Sequence, residues 1–76
     1  GKMNRELNQR QIKMLDYLSV NPKTTRKQYT KMMGISFMTS YRDIQELIDK
    51  AYIISKGQGR GTYYILANKE EDEILD

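Results

Sequence analysis

The chain has 76 residues and a formal net charge of +3, and it contains no cysteine, histidine or tryptophan. A chain of this length holds one small domain with one core. Without thiols and imidazoles it lacks a cysteine nucleophile, a disulfide, the usual zinc ligands and the commonest general base, so we expect no cofactor or metal. So short a chain has little room for a drug-sized cleft, and we expect no small-molecule substrate. These features favour a binding domain over an enzyme.

The positive charge is concentrated in the first 66 residues. They carry 12 basic and 5 acidic side chains, a net charge of +7, whereas residues 67–76 carry one lysine and five acids, a net charge of −4. A basic body favours an anionic partner. We interpret residues 67–76 as an acidic C-terminal tail, which either solubilises the domain or folds against the basic body and competes with nucleic acid.

The beginning of the chain has none of the features of a targeting segment. Residues 1–4, Gly-Lys-Met-Asn, are not the charged start of a signal peptide. No apolar run approaches the roughly 20 residues of a membrane span. We therefore expect a cytoplasmic protein with no membrane partner. Gly1 is typical of a residue left by tag cleavage, and we interpret residues 1–6 as a disordered or tag-derived start.

The first predicted helix covers residues 9–20. Asn8 is a good N-cap, and Gln11 stands three residues later, where its side chain can complete a capping box. The Asn-Pro pair at 21–22 ends the helix, because the residue before proline is pushed out of the helical region.

A second helix and a tight turn follow. Thr25 and Gln28 repeat the capping-box spacing, so this helix begins at Arg26. Gly34 ends it, because glycine readily adopts the left-handed conformation that closes a helix. Ser36 then caps the next helix, so the two helices are joined by a short glycine-containing turn, as in helix-turn-helix units. The apolar residues that we expect in the core of these first two helices include Tyr29, Met14, Met32 and Met33.

The third predicted helix, residues 37–50, has two distinct sides when its residues are placed at about 100° intervals. One stripe is expected to face the core and consists of Ser40, Ile44, Leu47, Ile48 and Ala51. A second stripe, about a third of a turn away, is expected to face outward and consists of Met38, Tyr41, Arg42 and Gln45.

A β-hairpin is predicted after the third helix. Runs of β-branched and aromatic residues at 52–56 and 62–66 flank the glycine-rich segment 57–61. Three helices followed by such a hairpin are the parts of a winged helix-turn-helix in chain order. The predicted fold class is therefore α+β, a small winged helix-turn-helix domain over residues 7–66, with three helices plus a β-hairpin wing.

This arrangement predicts double-stranded DNA as the partner. The major groove accepts one α-helix, and a neighbouring hairpin can reach the backbone or the minor groove. We therefore expect helix 37–50 in the major groove and the wing, residues 56–62, on the backbone or in the minor groove. The candidate residues for base contacts are Arg42 and Gln45, with Met38 and Tyr41 on the same stripe. The candidate residues for phosphate contacts are Thr25, Lys27, Ser36, Thr39, Lys56 and Arg60.

The sequence resembles bacterial winged-helix proteins in two places. The recognition-helix pattern of DeoR-type regulators is similar to Gly34-Ile35-Ser36 followed by Thr39, Arg42-Asp43-Ile44 and Leu47. The C-terminal winged-helix modules of Fic-family proteins and of ATPase-type, helicase-like regulators are similar to Gly59-Arg60-Gly61-Thr62-Tyr63-Tyr64, with Leu7-Asn8 and Arg10-Gln11. The resemblance covers residues 7–66 and implies a transcription-regulatory or targeting module of a larger bacterial protein. It also implies DNA contacts by Thr39 and Arg42, a helix-fixing role for Asp43 and a wing-tip role for Arg60.

The start of the third helix also permits a different function. Related modules commonly place Arg, Lys or small polar residues after the serine cap, whereas Phe37 and Met38 stand here. These two side chains can contact thymine methyl groups, but together with Tyr41 they would also suit a protein-docking surface. The alternative is therefore a protein-interaction or dimerisation module that pairs with a second copy or with an upstream catalytic domain of the Fic or ATPase type.

Catalysis is the least favoured of the three functional hypotheses, after DNA binding and protein interaction. It would require the carboxylates of Asp43, Glu46 and Asp49 to converge, yet their positions spread over about a third of a turn of the helix. Pairing of these acids with basic side chains is the better prediction, and we assign no catalytic residue.

Overall fold

Three helices and a two-stranded hairpin follow one another in a computed structural model that describes residues 7–67. In chain order the elements are α1 (Gln9–Val20), α2 (Arg26–Met33), α3 (Phe37–Asp49), β1 (Ile53–Lys56), a short 3-10 turn (Gly59–Gly61) and β2 (Tyr63–Leu66). The predicted α+β fold class is thereby confirmed. The interpretations of residues 1–6 and of the tail beyond residue 67 lie outside the described residues.

The helix starts follow the predicted capping residues. Asn8 Oδ1 accepts a 2.8 Å hydrogen bond from the Gln11 N–H, and Gln11 Oε1 accepts one of 2.8 Å from the Asn8 N–H, so this capping box is complete. The second capping box is only half formed. Thr25 Oγ1 accepts from the Gln28 N–H at 3.1 Å, but the Gln28 side chain instead accepts a hydrogen bond from Thr24. That contact ties α2 to the residue that pairs with the hairpin.

The core lies between the three helices and the inner side of the hairpin. Its buried apolar residues are Leu7, Met14, Leu18, Tyr29, Ile44, Leu47 and Ile53. Four polar residues are also buried, and they are Gln11, Thr24, Ser40 and Asp43. Within the described chain, every buried side-chain nitrogen and oxygen has a hydrogen-bond partner. The polar contacts therefore add order to the core without leaving an unsatisfied group.

Two residues that we expected in the core lie on the surface. Met32 is 43% exposed. It lies about 160° around α2 from Thr30, and Thr30 is bonded to α3 through Ser40. Ala51 is exposed because α3 ends at Asp49 and Ala51 takes a left-handed conformation with φ of 65°. The stripe beginning at Ser40 therefore faces the core only as far as Ile48.

The hairpin has the predicted position with slightly shorter strands. β1 and β2 pair antiparallel from Ile53 opposite Leu66 to Lys56 opposite Tyr63. Thr24 extends this sheet by a single bridge, in which its N–H donates to the Tyr64 carbonyl at 3.0 Å and its carbonyl accepts from the Tyr64 N–H at 2.7 Å. This bridge fixes the hairpin to the segment that leads into α2.

Candidate nucleic-acid interface

The outer side of α3 is a continuous solvent-facing surface. Met38 is 67% and Tyr41 50% exposed, and Arg42 and Gln45 are exposed as well. The four side chains cover about 100° of the helix circumference. The outward stripe thus faces the direction that the sequence predicts, and it presents one thioether, one phenol, one guanidinium and one amide.

A buried carboxylate fixes the inner side of α3. The Asp43 side chain is 6% exposed, and its Oδ2 accepts hydrogen bonds of 2.8 Å from Arg10 Nε and 2.8 Å from the Tyr29 hydroxyl. Its Oδ1 accepts from Asn8 Nδ2 at 3.0 Å. The main-chain carbonyl of Asp43 also accepts from Gln11 Nε2 at 3.0 Å. One residue of α3 therefore contacts the start of α1 and the middle of α2, which sets the direction of the outer stripe.

These contacts shift the ionisation of the groups involved. Burial opposes the charged form of Asp43, but the hydrogen bonds from Arg10, Tyr29 and Asn8 outweigh it and hold the pKa of the carboxyl below its usual range. Burial, together with the hydrogen bond to Asp43, raises the pKa of the Tyr29 hydroxyl well above its ordinary value. Asp43 is therefore a carboxylate and Tyr29 a neutral phenol at neutral pH.

Glu46, the next acid on α3, also pairs with neighbouring side chains. Glu46 accepts from Gln11 Nε2 at 2.8 Å and forms an ion pair with Lys50 at 3.0 Å. Its pKa is lowered, first by the Gln11 hydrogen bond and then by Lys50. Among residues 7–67 no group of three His, Cys, Asp or Glu side chains could hold a metal ion. Asp43 and Glu46 pair with basic side chains, as predicted.

A groove of about 320 Å³ lies between the start of α2, the start of α3 and the hairpin tip. Its lining combines three cationic side chains with hydroxyl, aromatic and glycine residues, and consists of Thr25, Arg26, Lys27, Phe37, Gly59, Arg60, Thr62 and Tyr64. It is an open surface groove and not the enclosed, drug-sized cleft for which so short a chain has little room. The groove lies at the surface where the hairpin projects beside two helix ends, so it takes no volume from the core.

Arg26 connects this groove to the outer side of α3. Its guanidinium lies 5.2 Å from the centroid of the Phe37 ring and 5.7 Å from that of Tyr41. Both distances are within the range of cation–π attraction. Sequence analysis identified Arg26 only as the first residue of α2 and did not include it among the candidate site residues. No local signal in the sequence places it there, because the contact depends on how α2 and α3 cross.

The predicted phosphate-contacting residues lie in three places. Thr25, Lys27 and Arg60 line the groove. Ser36 caps α3, where its Oγ accepts from the Thr39 N–H at 3.2 Å and its hydroxyl donates to Thr39 Oγ1 at 3.1 Å. Lys56 is the last residue of β1, opposite Tyr63, and is not among the residues that line the groove.

The first turns of α1, α2 and α3 share one electrostatic feature. None of them contains an acidic residue. Carboxylates are favoured at this position because they neutralise the positive end of the helix dipole. The helix ends beside the groove are therefore left without an acidic side chain to compete with an external anion.

No helix in the described part of the chain is long and apolar enough to cross a membrane. No protein-family model and no curated protein sequence matches this chain. Its fold is nevertheless similar to several solved structures.

A fragment (residues 1–100) of a "possible transcriptional regulatory protein" from Mycobacterium bovis has 19% identity and a TM-score of 0.71, over 90% of this chain and 72% of that one. The adhesin competence repressor of Streptococcus pyogenes has 22% identity and a TM-score of 0.71, over 97% of this chain and 64% of the repressor. The DIP2311 protein of Corynebacterium diphtheriae has 23% identity and a TM-score of 0.65, over 74% of this chain but 11% of that protein. The chain therefore has the small winged-helix fold that occurs in transcription regulators.

Proposed function

We propose that the chain is a DNA-binding winged-helix domain that places α3 in the major groove and the wing on the backbone or in the minor groove. In this proposal it is a transcription-regulatory or targeting module of a larger cytoplasmic protein, and binding rather than catalysis is its activity. Base contacts come from the outer stripe of α3, chiefly Arg42 and Gln45. Phosphate contacts come from Thr25, Lys27, Ser36, Thr39, Lys56 and Arg60.

The observation that carries the proposal is the continuity between the cationic groove and the outer side of α3. Arg26 lines the groove and also lies over the ring of Tyr41, which belongs to the outer stripe. A duplex whose major groove holds α3 would run its phosphate backbone past the neighbouring cations. The major groove is about 12 Å wide and admits one helix, so a single exposed helix flanked by positive charge fits this partner.

The structural neighbours support the same proposal. Two of them are a repressor and a transcriptional regulatory protein by name. With identities of 19% and 22% they support the fold, and the regulatory role of this chain is proposed by analogy. Origin from a DeoR-type, Fic-family or ATPase-type parent is likewise a proposal, which rests on the sequence resemblance.

Duplex binding as a function of salt tests the proposal. We expect fluorescence anisotropy with a labelled duplex to give log K that falls with log salt at a slope of about −4, because about four or five phosphate contacts release that many counterions. Arg42→Ala is expected to weaken binding severalfold. The matched control is Lys13→Ala, which removes the same charge from an exposed position on α1. Failure to bind any duplex below ~100 µM at low salt would overturn the proposal.

A second candidate function is favoured by one observation, the exposure of Phe37, Met38 and Tyr41 at 55%, 67% and 50%. Aromatic and methionine side chains are enriched at protein interfaces. In this alternative the same fold is an interaction or dimerisation module for a second copy or for an upstream catalytic domain. Replacing both Phe37 and Met38 by serine would then abolish self-association in sedimentation experiments. Any duplex binding would stay intact, because in this alternative the two side chains do not contact DNA. A strictly monomeric parent chain would contradict the dimer form of this alternative.

A further inference from the structure

The first turn of α3 presents apolar side chains where a major-groove helix usually presents hydrogen-bonding groups. Phe37 and Met38 are its first two residues, and they are 55% and 67% exposed. Met38 is central in the outer stripe, between Tyr41 and Arg42 around the helix. Hydrogen-bonding side chains on this stripe begin about one turn later. The leading end of the helix therefore offers van der Waals contact to its partner.

The surroundings of this apolar end indicate an anionic partner. Arg26 lies over the Phe37 ring, and Phe37 itself lines the groove that contains Lys27 and Arg60. The first turn of α3 contains no acid, and the next acid along the helix, Asp43, is buried against Arg10. A partner that covers Met38 must therefore combine apolar groups with dense negative charge. A neutral or cationic protein surface would supply the apolar groups but not the negative charge.

The DNA major groove combines both properties at thymine. The C5 methyl group of thymine is the apolar feature of the major-groove edge, and it lies between two rows of phosphates. A methionine side chain is flexible and unbranched, so it can follow the position of such a methyl group. The Phe37 ring lies beneath the Arg26 guanidinium and adds exposed apolar surface at the same end of the helix.

Building on the proposed function, we infer that Met38, supported by Phe37, reads thymine C5 methyl groups. The preferred duplex would then carry T·A pairs where the first turn of α3 enters the major groove. Arg42 and Gln45, on the following turn, would hydrogen-bond to the adjacent base pairs. The site thus selects sequence by shape and apolar contact at one end of the helix and by hydrogen bonds further along.

The test begins by selecting bound duplexes from a random-sequence pool with the full chain. Each thymine of the selected sequence is then replaced by uracil, which keeps the base pair and removes only the methyl group. Burial of one methyl-sized group corresponds to about a fourfold change in affinity, so each contacted thymine should lose about fourfold on replacement. Met38→Ala should bind the thymine and uracil duplexes equally. Met32→Ala, which truncates an exposed methionine on α2, is the matched control and should keep the difference.

Several outcomes would overturn this inference and still leave duplex binding, the central claim of the proposed function, in place. One is a selected duplex that tolerates uracil at every position, and another is salt-dependent binding with no sequence enriched. A uracil effect that persists in Met38→Ala would assign methyl reading to a different residue and would also overturn it. If no duplex binds at all, both the inference and the proposed function fail. Circular dichroism melting of Met38→Ala should match that of the parent chain, because the side chain is exposed.

Discussion

The hydroxyl of Tyr29 donates a 2.8 Å hydrogen bond to the carboxylate of Asp43 inside the core. Tyr29 is fully buried and Asp43 is 4% exposed, so the contact joins α2 to α3 out of reach of solvent. Asp43 is on the inner side of α3, and the proposed base-reading stripe is on its outer side. The way α3 is presented to a partner therefore depends on a polar contact in the core.

Removal of this hydroxyl should destabilise the domain. A hydrogen bond to a charged group contributes roughly 1.5–3 kcal/mol, so we expect Tyr29→Phe to lower the free energy of unfolding by about 2 kcal/mol. Urea denaturation followed by circular dichroism measures the change. Tyr41→Phe removes a hydroxyl from a half-exposed ring and should stay within about 0.5 kcal/mol of the parent. Equal effects of the two substitutions would contradict the assigned role of the Tyr29 contact.

The ionisation of Asp43 should make the stability of the domain depend on pH. The pKa of Asp43 is held below its usual value in the folded state by Arg10, Tyr29 and Asn8, against the effect of burial. The contribution of Asp43 is therefore fully present above the unfolded pKa of about 4 and is lost as the pH falls through the lower folded value. We expect unfolding free energy to be flat from neutral pH to about 5 and to decrease below about 4. Asp43→Asn should remove most of that decrease.

Denaturation of both proteins at a series of pH values checks this prediction. Glu46 also has a lowered pKa, so a smaller acid-dependent loss should remain in the variant. Asp49→Asn is the control, because Asp49 is exposed on the same helix. Parallel pH profiles for the parent and Asp43→Asn would show that the acid dependence arises elsewhere.

The elements were predictable because local signals determine them. The caps Asn8, Thr25 and Ser36 and the terminator Gly34 act within a few residues of chain, so helix starts follow directly from the sequence. The position of Arg26 over Phe37 was not predictable, because it depends on how α2 and α3 cross. The exposure of Met32 was also not predictable, because a helix of 8 residues has too few apolar positions to show which side faces its neighbour.

The wing should depend on the glycine at position 57 of its tip. Gly57 has φ of 79°, and a Cβ built there would collide with the carbonyl oxygen of Gly61. We expect Gly57→Ala to cost at least about 1–2 kcal/mol, because the left-handed conformation alone carries that penalty for other residues. Gly61→Ala is the matched control, since a Cβ there would meet no heavy atom within 4 Å. Thermal melting of the two variants should separate them, and similar midpoints would contradict this account of the tip.

The end of α3 offers a stabilising substitution. Ala51 has φ of 65° and closes the helix, with its N–H bonded to the Ile48 carbonyl at 2.9 Å. Glycine adopts this conformation without the penalty of about 1–2 kcal/mol that a Cβ brings, although it loses more backbone entropy on folding. We expect Ala51→Gly to stabilise the domain by about 0.5 kcal/mol or more. The reciprocal change Gly34→Ala, at φ of 65° after α2, should destabilise it. Chemical denaturation measures both changes. Destabilisation by Ala51→Gly or stabilisation by Gly34→Ala would exclude this explanation.

The cations of the groove should contribute to DNA affinity independently of sequence. Lys27 and Arg60 both line the groove, one from α2 and one from the hairpin tip. Each lost phosphate contact should reduce the magnitude of the slope of log K against log salt by about 1. Because phosphates are common to all sequences, Lys27→Ala and Arg60→Ala should each weaken binding by a similar factor for all duplexes. Arg42→Ala should instead reduce the difference between a selected duplex and a random one.

Salt titrations with both duplexes, with Lys13→Ala as the charge-matched control, distinguish the two classes of contact. The double variant of Lys27 and Arg60 should change the slope by about 2 if both side chains neutralise phosphates at the same time. An unchanged slope would mean that the groove points away from the duplex, and the orientation proposed for the wing would then be wrong. A slope change confined to Arg60 would instead place only the hairpin tip on the backbone, with the start of α2 outside the contact.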